Sequence, residues 1–422
     1  MPSSEAAREK NMVTPTADQV AAENSSLPLG GPAATLSRRS ALQLLGLGGV
    51  TVLVAGTGVL SYRVFDNGVL DSGSGRAYDP WSSWRQDATP LGAVGAAILA
   101  ANPHNTQPWL FHVNPTSVEV FADPTRGMPA VDPFDREHNT GMGCAVENLV
   151  LGLNARGLGN TVTLLPEPAD PTHLATVLLT GGAAAGSGLY EAIGDRHSNR
   201  GPYRPQAVPS SVLDSLDAQA AGLDGVAVRW FTSEADKGAL TALILAATEA
   251  FIADLGQSVE SLSWFRNNRD DIDQHADGPT LDAQGLSPLT LALGKILPAT
   301  SRTAGDKFWL EQTRTVHTAT AAAYGVITIA DADSPAQRLT GGRLLQRIHL
   351  AITSRGMGLQ HMNQITERID RERQQGLPAT FAPQLQSLLA TPSRSPLVTF
   401  RIGYPVRAAL RSPRRPVSAV TR

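Results

Sequence analysis

The segment GCAVENLVLGLNARGLG, residues 143–159, aligns without gaps on GRLLQRIHLAITSRGMG, residues 342–358. The same offset pairs Asp132 with Asp331. Both copies carry apolar residues at helical spacing, namely Val146, Leu149, Val150 and Leu153 in the first and Leu345, Ile348 and Ile352 in the second. A repeat of this kind indicates two related halves in one chain. We therefore expect the two segments to form a pair of core helices.

A second informative stretch is ANPHNTQPWL, residues 101–110. Its two prolines, Pro103 and Pro108, disfavour a helix, which leaves the amides of Asn105 and Gln107 available for a ligand. The alternation that begins at Trp109 predicts a strand. The same pattern is also typical of a capped loop that enters a sheet, and this stretch alone favours neither interpretation.

Basic residues cluster in two further places. In DRHSNRGPY, residues 195–203, two guanidinium groups bracket a hydroxyl, and forked donors of this kind suit a phosphate group. Near the end, SPRRP, residues 412–416, follows the run RIGYP, residues 401–405. Taken alone, the first stretch is more often a solvated turn and the second a solvated terminus.

Together these segments resemble the nitroreductase superfamily of FMN-dependent proteins, and in particular its Acg-like branch. The run Asn105–Trp109 is similar to the family's Asn-x-Gln-Pro-Trp run near the isoalloxazine ring. The segment Arg196–Arg200 is similar to the family's basic segment that holds the FMN phosphate. The resemblance extends from about residue 89 to residue 417. One departure is the turn Ala-Asn-Pro-His-Asn, where the branch has a Pro-Ser-x-His-Asn spacing.

The resemblance implies an α+β fold, an α/β sandwich in which two pseudo-symmetric halves fused in one chain mimic a homodimer. We expect these halves at residues 89–190 and 191–422, with a possible lid at residues 261–307 of the second half. Only the second half carries the full basic set, so we expect one FMN per chain and a monomeric protein.

The resemblance also implies the cofactor contacts. They comprise His104, Asn105 and Gln107 in the turn, Arg196, His197, Ser198 and Arg200 in the basic segment, Gly356, Met357 and Gly358 after the second repeat helix, and Ser412, Arg414 and Arg415 near the end. In the family, the backbone at the glycine turn approaches the flavin N5. We assign no side chain a catalytic role, because the flavin carries the redox chemistry. The histidine spacing predicts no metal site.

The function implied by the resemblance is an FMN-binding oxidoreductase that transfers hydride or electrons from NAD(P)H to a nitro, quinone or similar small acceptor. A flavin-sequestering protein with a lidded site and little turnover is the alternative. Another reaction of the same fold, such as oxidative flavin breakdown or azoline oxidation, also remains open.

Composition agrees with a large α/β enzyme without identifying one. The 422 residues are 42% hydrophobic and 17% charged, and the net charge of −3 does not indicate a nucleic-acid partner. The single cysteine, Cys144, lies in the first repeat segment and has no partner for an internal disulfide. We therefore expect it to be a core residue.

The N-terminal region has a different composition. Residues 1–36 contain no aromatic residue, which predicts a disordered tail. The pair Arg38-Arg39 precedes an uncharged run that ends at Tyr62, so residues 37–62 resemble a twin-arginine export signal. A membrane anchor through residues 40–62 is the alternative, since roughly 20 apolar residues span a bilayer. Both interpretations place the catalytic part outside the cytoplasm, and we expect residues 63–88 to be a linker.

Overall fold

The computed structural model describes residues 67–297 and 299–422. The predicted tail, residues 1–36, and the predicted signal or anchor, residues 37–62, lie outside these residues. The strands are β1 (Trp109–Val113), β2 (Ser117–Ala122), β3 (Leu158–Leu164), β4 (His173–Gly181), β5 (Val226–Phe231), β6 (Ala323–Ile329), β7 (Gly358–His361) and β8 (Ser395–Gly403). The helices are α1 (Pro80–Ser83), α2 (Pro90–Ala97), α3 (Arg136–Ala155), α4 (Gly188–Glu191), α5 (Ser210–Asp217), α6 (Glu234–Ala253), α7 (Leu255–Ser263), α8 (Arg269–His275), α9 (Pro288–Ile296), α10 (Arg302–Gln312), α11 (Pro335–Thr353), α12 (Gln364–Gln375) and α13 (Phe381–Leu389).

The strands form two antiparallel four-stranded sheets with the same connectivity. The first has the order β1-β2-β4-β3 and the second the order β5-β6-β8-β7. In each half a long helix joins the second strand to the third, α3 in the first half and α11 in the second. The α+β fold implied by the resemblance and the two related halves predicted by the repeat are therefore confirmed.

The two repeat helices pack against each other where Gly143 meets Gly342. A Cβ atom added to Gly143 would lie 2.0 Å from the carbonyl oxygen of Leu339, and one added to Gly342 would lie 2.0 Å from that of Thr140. Only glycine permits this approach, because any side chain would enter the backbone of the facing helix. The residues that the sequence alignment paired thus meet at the contact between the halves.

The second half carries a long insertion that the first half lacks. A short turn joins β1 to β2, whereas α6–α10 and a π-helical turn, Thr313–His317, join β5 to β6. The predicted lid, residues 261–307, lies within this insertion. In the described part, no single helix is both long enough and apolar enough to cross a membrane, and α6 with α7 meets that criterion only as a pair bent by 86°.

Two expected boundaries differ from the structure. The predicted linker, residues 63–88, joins the packed core from Ala77 onwards, since Tyr78, Trp81 and Trp84 are buried and large aromatic side chains stabilise most when removed from water. The last residues also leave the second half. The amide of Phe111 in β1 donates to the carbonyl of Val420 at 2.7 Å, so the C-terminus extends the first sheet.

Candidate functional site

A cavity of about 960 Å³ lies between the two halves and the insertion. Its wall includes the turn at residues 102–104, the first turns of α3, the end of β7, the start of α12 and residues of α7, α9 and α10. This volume is within the range of small-molecule and cofactor sites. Cys144 also lines the cavity, but burial raises its thiol pKa to about 12, which keeps the thiol protonated.

Three of the predicted contacts, His104, Ser198 and Arg200, line this cavity. His104 Nε2 lies 2.9 Å from the hydroxyl of Ser261 in α7. Burial, with a smaller contribution from Arg200, lowers the pKa of His104 to about 4. The imidazole is therefore neutral at physiological pH and bonds the insertion without adding charge.

Next to the cavity lies a pair of buried arginines, Arg196 and Arg414, which are only 2% and 3% exposed. Within the described residues, neither has a carboxylate within 4.0 Å, and the Nε atom of each lacks a hydrogen-bond partner. Both guanidinium groups face the ring of Trp81, at 6.0 Å and 4.9 Å from its centre. We call these two residues the arginine pair.

The environment of the arginine pair disfavours its charge. Burial lowers the pKa of Arg196 to about 10, and burial together with repulsion from Arg196 holds the pKa of Arg414 well below its usual value. The side chains are held by backbone carbonyls, with Arg196 Nη2 donating to Leu99 at 2.9 Å and Arg414 Nη2 to Ala100 at 3.3 Å. Uncompensated buried cations of this kind favour a bound anion.

Two neutral histidines connect the arginine pair to the cavity wall. Arg196 Nη1 donates to Nδ1 of His349 at 3.4 Å, and the rings of His349 and His361 lie 5.6 Å apart. His361 lines the cavity and lies 3.5 Å from the Ser198 hydroxyl. Burial, followed by the charge of Arg196, lowers the pKa of His361 to about 3 and that of His349 well below its usual value. Both histidines are therefore neutral, and the positive charge of this region lies on the arginines. The predicted contact His197 packs edge-on against Trp81 at 4.4 Å.

The amides of Asn105 and Gln107 already bind other parts of the chain. Asn105 Nδ2 donates to the carbonyls of Gly278 at 3.1 Å and Pro413 at 3.0 Å, and Asn105 Oδ1 accepts from Arg414. Gln107 Nε2 donates to Ala276 at 2.8 Å. The expectation that the two amides are free for a ligand is therefore wrong for this structure. They fasten the insertion and the C-terminal segment to the turn.

Backbone and ionic contacts reinforce this attachment. His104, Asn105 and Gln107 have φ of 44°, 52° and 52°, a left-handed conformation that is costly without a glycine. Asp277 of the insertion accepts from Arg126 at 2.8 Å and from Arg266 at 2.6 Å. We call the contacts of residues 105–107 and 126 with residues 276–278 the latch.

The remaining predicted contacts do not line the cavity. Gly356 is exposed and ends α11 with φ of 68°, Met357 is buried, and a Cβ on Gly358 would touch the ring of Tyr203 at 3.1 Å. The Ser412 carbonyl accepts from the indole of Trp81 at 2.8 Å. The side chain of Arg415 contacts Asp123, at 3.7 Å, rather than the arginine pair.

Many polar residues of the cavity wall did not emerge from the sequence, among them Glu137, Asn363, Gln364 and Glu367. Glu137 and Glu367 are buried, and the charge of Glu367 acts on Glu137. Burial raises the pKa of Glu367 to about 7 and that of Glu137 well above its usual value, so the pair retains a proton near neutral pH. Glu137 lies in the first turn of α3, where an acidic residue is usually solvated. Only the fold places Glu367 beside it.

Comparison with known proteins gives partial matches. No protein-family model matches the chain. The chain is similar to "Putative NAD(P)H nitroreductase Rv3131" of Mycobacterium tuberculosis, with 35% identity over 127 residues, which cover 30% of this chain and only 37% of that relative. It is also similar to "Uncharacterized protein Rv3127" of the same organism, with 26% identity over 342 residues, 72% of this chain and 90% of that relative.

Solved structures of low identity also match. They include the FMN and NADPH-dependent nitroreductase NfnB from Sphigopyxis sp. strain HMH, with a TM-score of 0.36, 16% identity and coverage of 55% of this chain and 96% of that one. A nitroreductase with bound FMN from Desulfitobacterium hafniense matches with a TM-score of 0.33, 15% identity and coverage of 55% and 95%.

Proposed function

We propose that the chain is an FMN-binding oxidoreductase of the Acg-like branch of the nitroreductase superfamily, with NAD(P)H as electron donor. The observation that carries the proposal is the arginine pair, whose buried charge lacks a carboxylate partner within the described residues and adjoins a cavity of about 960 Å³. The curated relative named as an NAD(P)H nitroreductase supports the same chemistry.

In this proposal the arginine pair holds the phosphate of FMN. Ser198 and Arg200 add donors from the cavity wall, and a phosphate dianion suits such forked donors. The turn at residues 102–104 lies along the same cavity and would bound the flavin on the side of the first half. When bound, FMN supplies hydride transfer between a nicotinamide donor and a small acceptor.

A flavin-sequestering protein is the second candidate, and the latch favours it. Asn105 and Gln107 bond the insertion, and Arg126, which lies outside the insertion, binds Asp277, so the insertion is fixed over the cavity by several contacts at once. A bound flavin under a fixed cover would exchange electrons slowly with a nicotinamide donor.

Fluorescence titration of the apoprotein with FMN and with riboflavin, which lacks the phosphate, tests the flavin assignment. We expect FMN to bind more tightly than riboflavin. Arg196→Met should weaken FMN binding by about 1.5–3 kcal/mol, as for a lost charge-assisted hydrogen bond, and leave riboflavin binding unchanged. Arg355→Met, which removes an exposed arginine, is the control. Equal affinities for FMN and riboflavin would contradict the assignment.

The visible spectrum of the flavin-loaded protein with and without NADPH separates the two candidates. An enzyme should lose its flavin absorbance when NADPH is added. A sequestering protein should bleach slowly, and Asp277→Asn, which weakens the latch, should then accelerate bleaching. Slow bleaching that Asp277→Asn does not change would contradict the role given to the latch.

A further inference from the structure

The insertion exposes large apolar side chains on three of its helices, α7, α9 and α10. Leu255, Val259 and Leu262 of α7 are 63%, 49% and 39% exposed, and their spacing places them on one face. Leu289 and Leu293 of α9 and Leu297 after it are likewise exposed and recur every fourth residue. Phe308 of α10 completes the set. We call these seven residues the apolar rim.

Three residues of the apolar rim lie at the mouth of the cavity. Leu262, Leu297 and Phe308 are exposed to solvent and also line the cavity, so each lies where the cavity reaches the surface. Ser258 of α7 donates to Asp306 of α10 at 2.7 Å, which joins two of the helices that carry the rim. Clustered exposed apolar side chains next to an opening are typical of a surface that contacts an apolar partner.

Two of the acidic residues on the rim helices, Glu260 and Asp306, are bonded by protein donors, whereas the third, Glu311 of α10, is 58% exposed beside Arg314. The carboxylate of Glu260 in α7 accepts from the amides of Ala130 at 2.8 Å and Val131 at 2.7 Å. Asp306 of α10 binds Ser258 and Arg302. Both carboxylates are therefore engaged by protein donors, which reduces the repulsion and desolvation that carboxylates would meet at a lipid surface.

The start of the described chain is fastened to the helix that carries the rim. Asn67 Nδ2 donates to the carbonyl of Lys295 at 2.6 Å, and Lys295 Nζ donates to the carbonyl of Gly68 at 3.0 Å. Lys295 is itself held by Asp282 at 2.6 Å. The uncharged run of the sequence ends at Tyr62, and five residue steps span at most about 18 Å. A membrane that holds this run is therefore kept within reach of α9.

We propose that the apolar rim contacts the lipid bilayer and that the cavity opens to the lipid phase, so that the electron acceptor is a membrane-dissolved quinone with an apolar tail. The bilayer is favoured over a protein partner because the predicted anchor, residues 40–62, is only a few residues away in sequence from Asn67, which bonds α9. The acceptor class rests on the proposed flavin function, whereas the contact of the rim with lipid does not.

Fluorescence quenching in liposomes tests the lipid contact on the full chain. Leu293→Cys in the rim and Leu178→Cys in β4, which are 43% and 47% exposed in the native chain, provide matched sites for an environment-sensitive label. Native Cys144 is buried and should remain unlabelled. We expect lipids with a quencher in the acyl chain to quench the label at position 293 and not at position 178. Equal quenching at both positions, or a chain that does not bind the liposomes, would overturn the proposal.

A second measurement tests the acceptor class. Leu289→Ser with Leu293→Ser, at exposed rim positions outside the cavity lining, should lower the rate with a long-tailed quinone in liposomes by about tenfold, because two apolar contacts with lipid are lost. The rate with a short-tailed, water-soluble quinone should not change. Equal losses with both quinones would contradict a lipid-phase acceptor. If the flavin proposal itself is wrong, neither quinone is reduced, and the quenching result still stands.

Discussion

Single residues carry the strongest functional signal in this protein. The arginine pair is buried without a carboxylate partner in the described part of the chain, and burial of like charges lowers stability unless an anion neutralises them. The sequence allowed the prediction that Arg196 and Arg414 bind one phosphate, because both belong to basic segments. It did not show that Arg415 lies apart, since neighbouring side chains on an extended segment point in different directions.

Inorganic phosphate should raise the melting temperature of the apoprotein, because an anion that binds only the folded state stabilises it by mass action. The increase should be much smaller for Arg196→Met. Differential scanning fluorimetry at increasing phosphate concentration measures this, with sodium chloride at equal ionic strength as the control. The same increase in wild type and Arg196→Met would show that phosphate acts elsewhere.

The pair Glu137–Glu367 should make stability depend on pH. Because burial raises the pKa of Glu367 from 4.5 to about 7, the folded state binds more protons than the unfolded state between these values. The contribution of this group to the free energy of unfolding therefore decreases as pH rises through this range. Asp132 and Arg368 also act on Glu367, with opposite signs.

Denaturant unfolding at several pH values tests this dependence. Glu367→Gln, which carries no titrating proton, should reduce the loss of stability between pH 5 and pH 7. This range lies between the ordinary glutamate pKa of 4.5 and the raised pKa of about 7. Glu234→Gln, at a side chain that is 93% exposed, should follow wild type. A Glu367→Gln profile parallel to that of wild type would contradict the raised pKa.

Among the elements, the repeat helices were predictable and the insertion was not. The apolar spacing of residues 143–159 and 342–358 is a local signal, so it predicted α3 and α11 and their pairing. The latch depends on contacts such as Asn105 with Gly278, which lie far apart in sequence and carry no periodic pattern. For the same reason, the sequence did not reveal that Glu137 and Glu367 share the cavity wall.

Gly143→Ala should destabilise the protein, because its Cβ would lie 2.0 Å from the Leu339 carbonyl oxygen in α11. Overpacking of a closely packed contact typically costs about 1–3 kcal/mol. Gly238→Ala in the exposed part of α6, where a Cβ meets no atom within 4 Å, should stabilise by about 0.5–1 kcal/mol. Chemical denaturation measures both, and a neutral Gly143→Ala would contradict the close approach of α3 and α11.

At the scale of the whole molecule, one chain has the architecture of two subunits, because it contains two related sheets and its C-terminus returns to the first of them. The amide of Phe111 bonds Val420, so the end of the chain belongs to the opposite half from the segment before it. The arginine pair also draws on both basic segments of the second half while resting on carbonyls of Leu99 and Ala100 in the first. The described residues therefore contain one arginine pair per chain.

Export remains a prediction from residues 37–62. Changing Arg38 and Arg39 together to lysine should retain the protein in the cytoplasm if the twin-arginine route recognises the guanidinium pair. A simple anchor should tolerate the change, since lysine keeps the positive flank. Cell fractionation with protease accessibility distinguishes the two, and unaltered export of the double variant would exclude the twin-arginine route.

The flavin stoichiometry of the full chain tests the central claim most directly. Two related halves that share one arginine pair should bind one FMN per chain, in a species with the mass of a single chain. Native mass spectrometry of the protein titrated with FMN measures both quantities together. The account predicts saturation at one FMN on the monomer, whereas saturation at two FMN molecules, or no retained FMN, would contradict it.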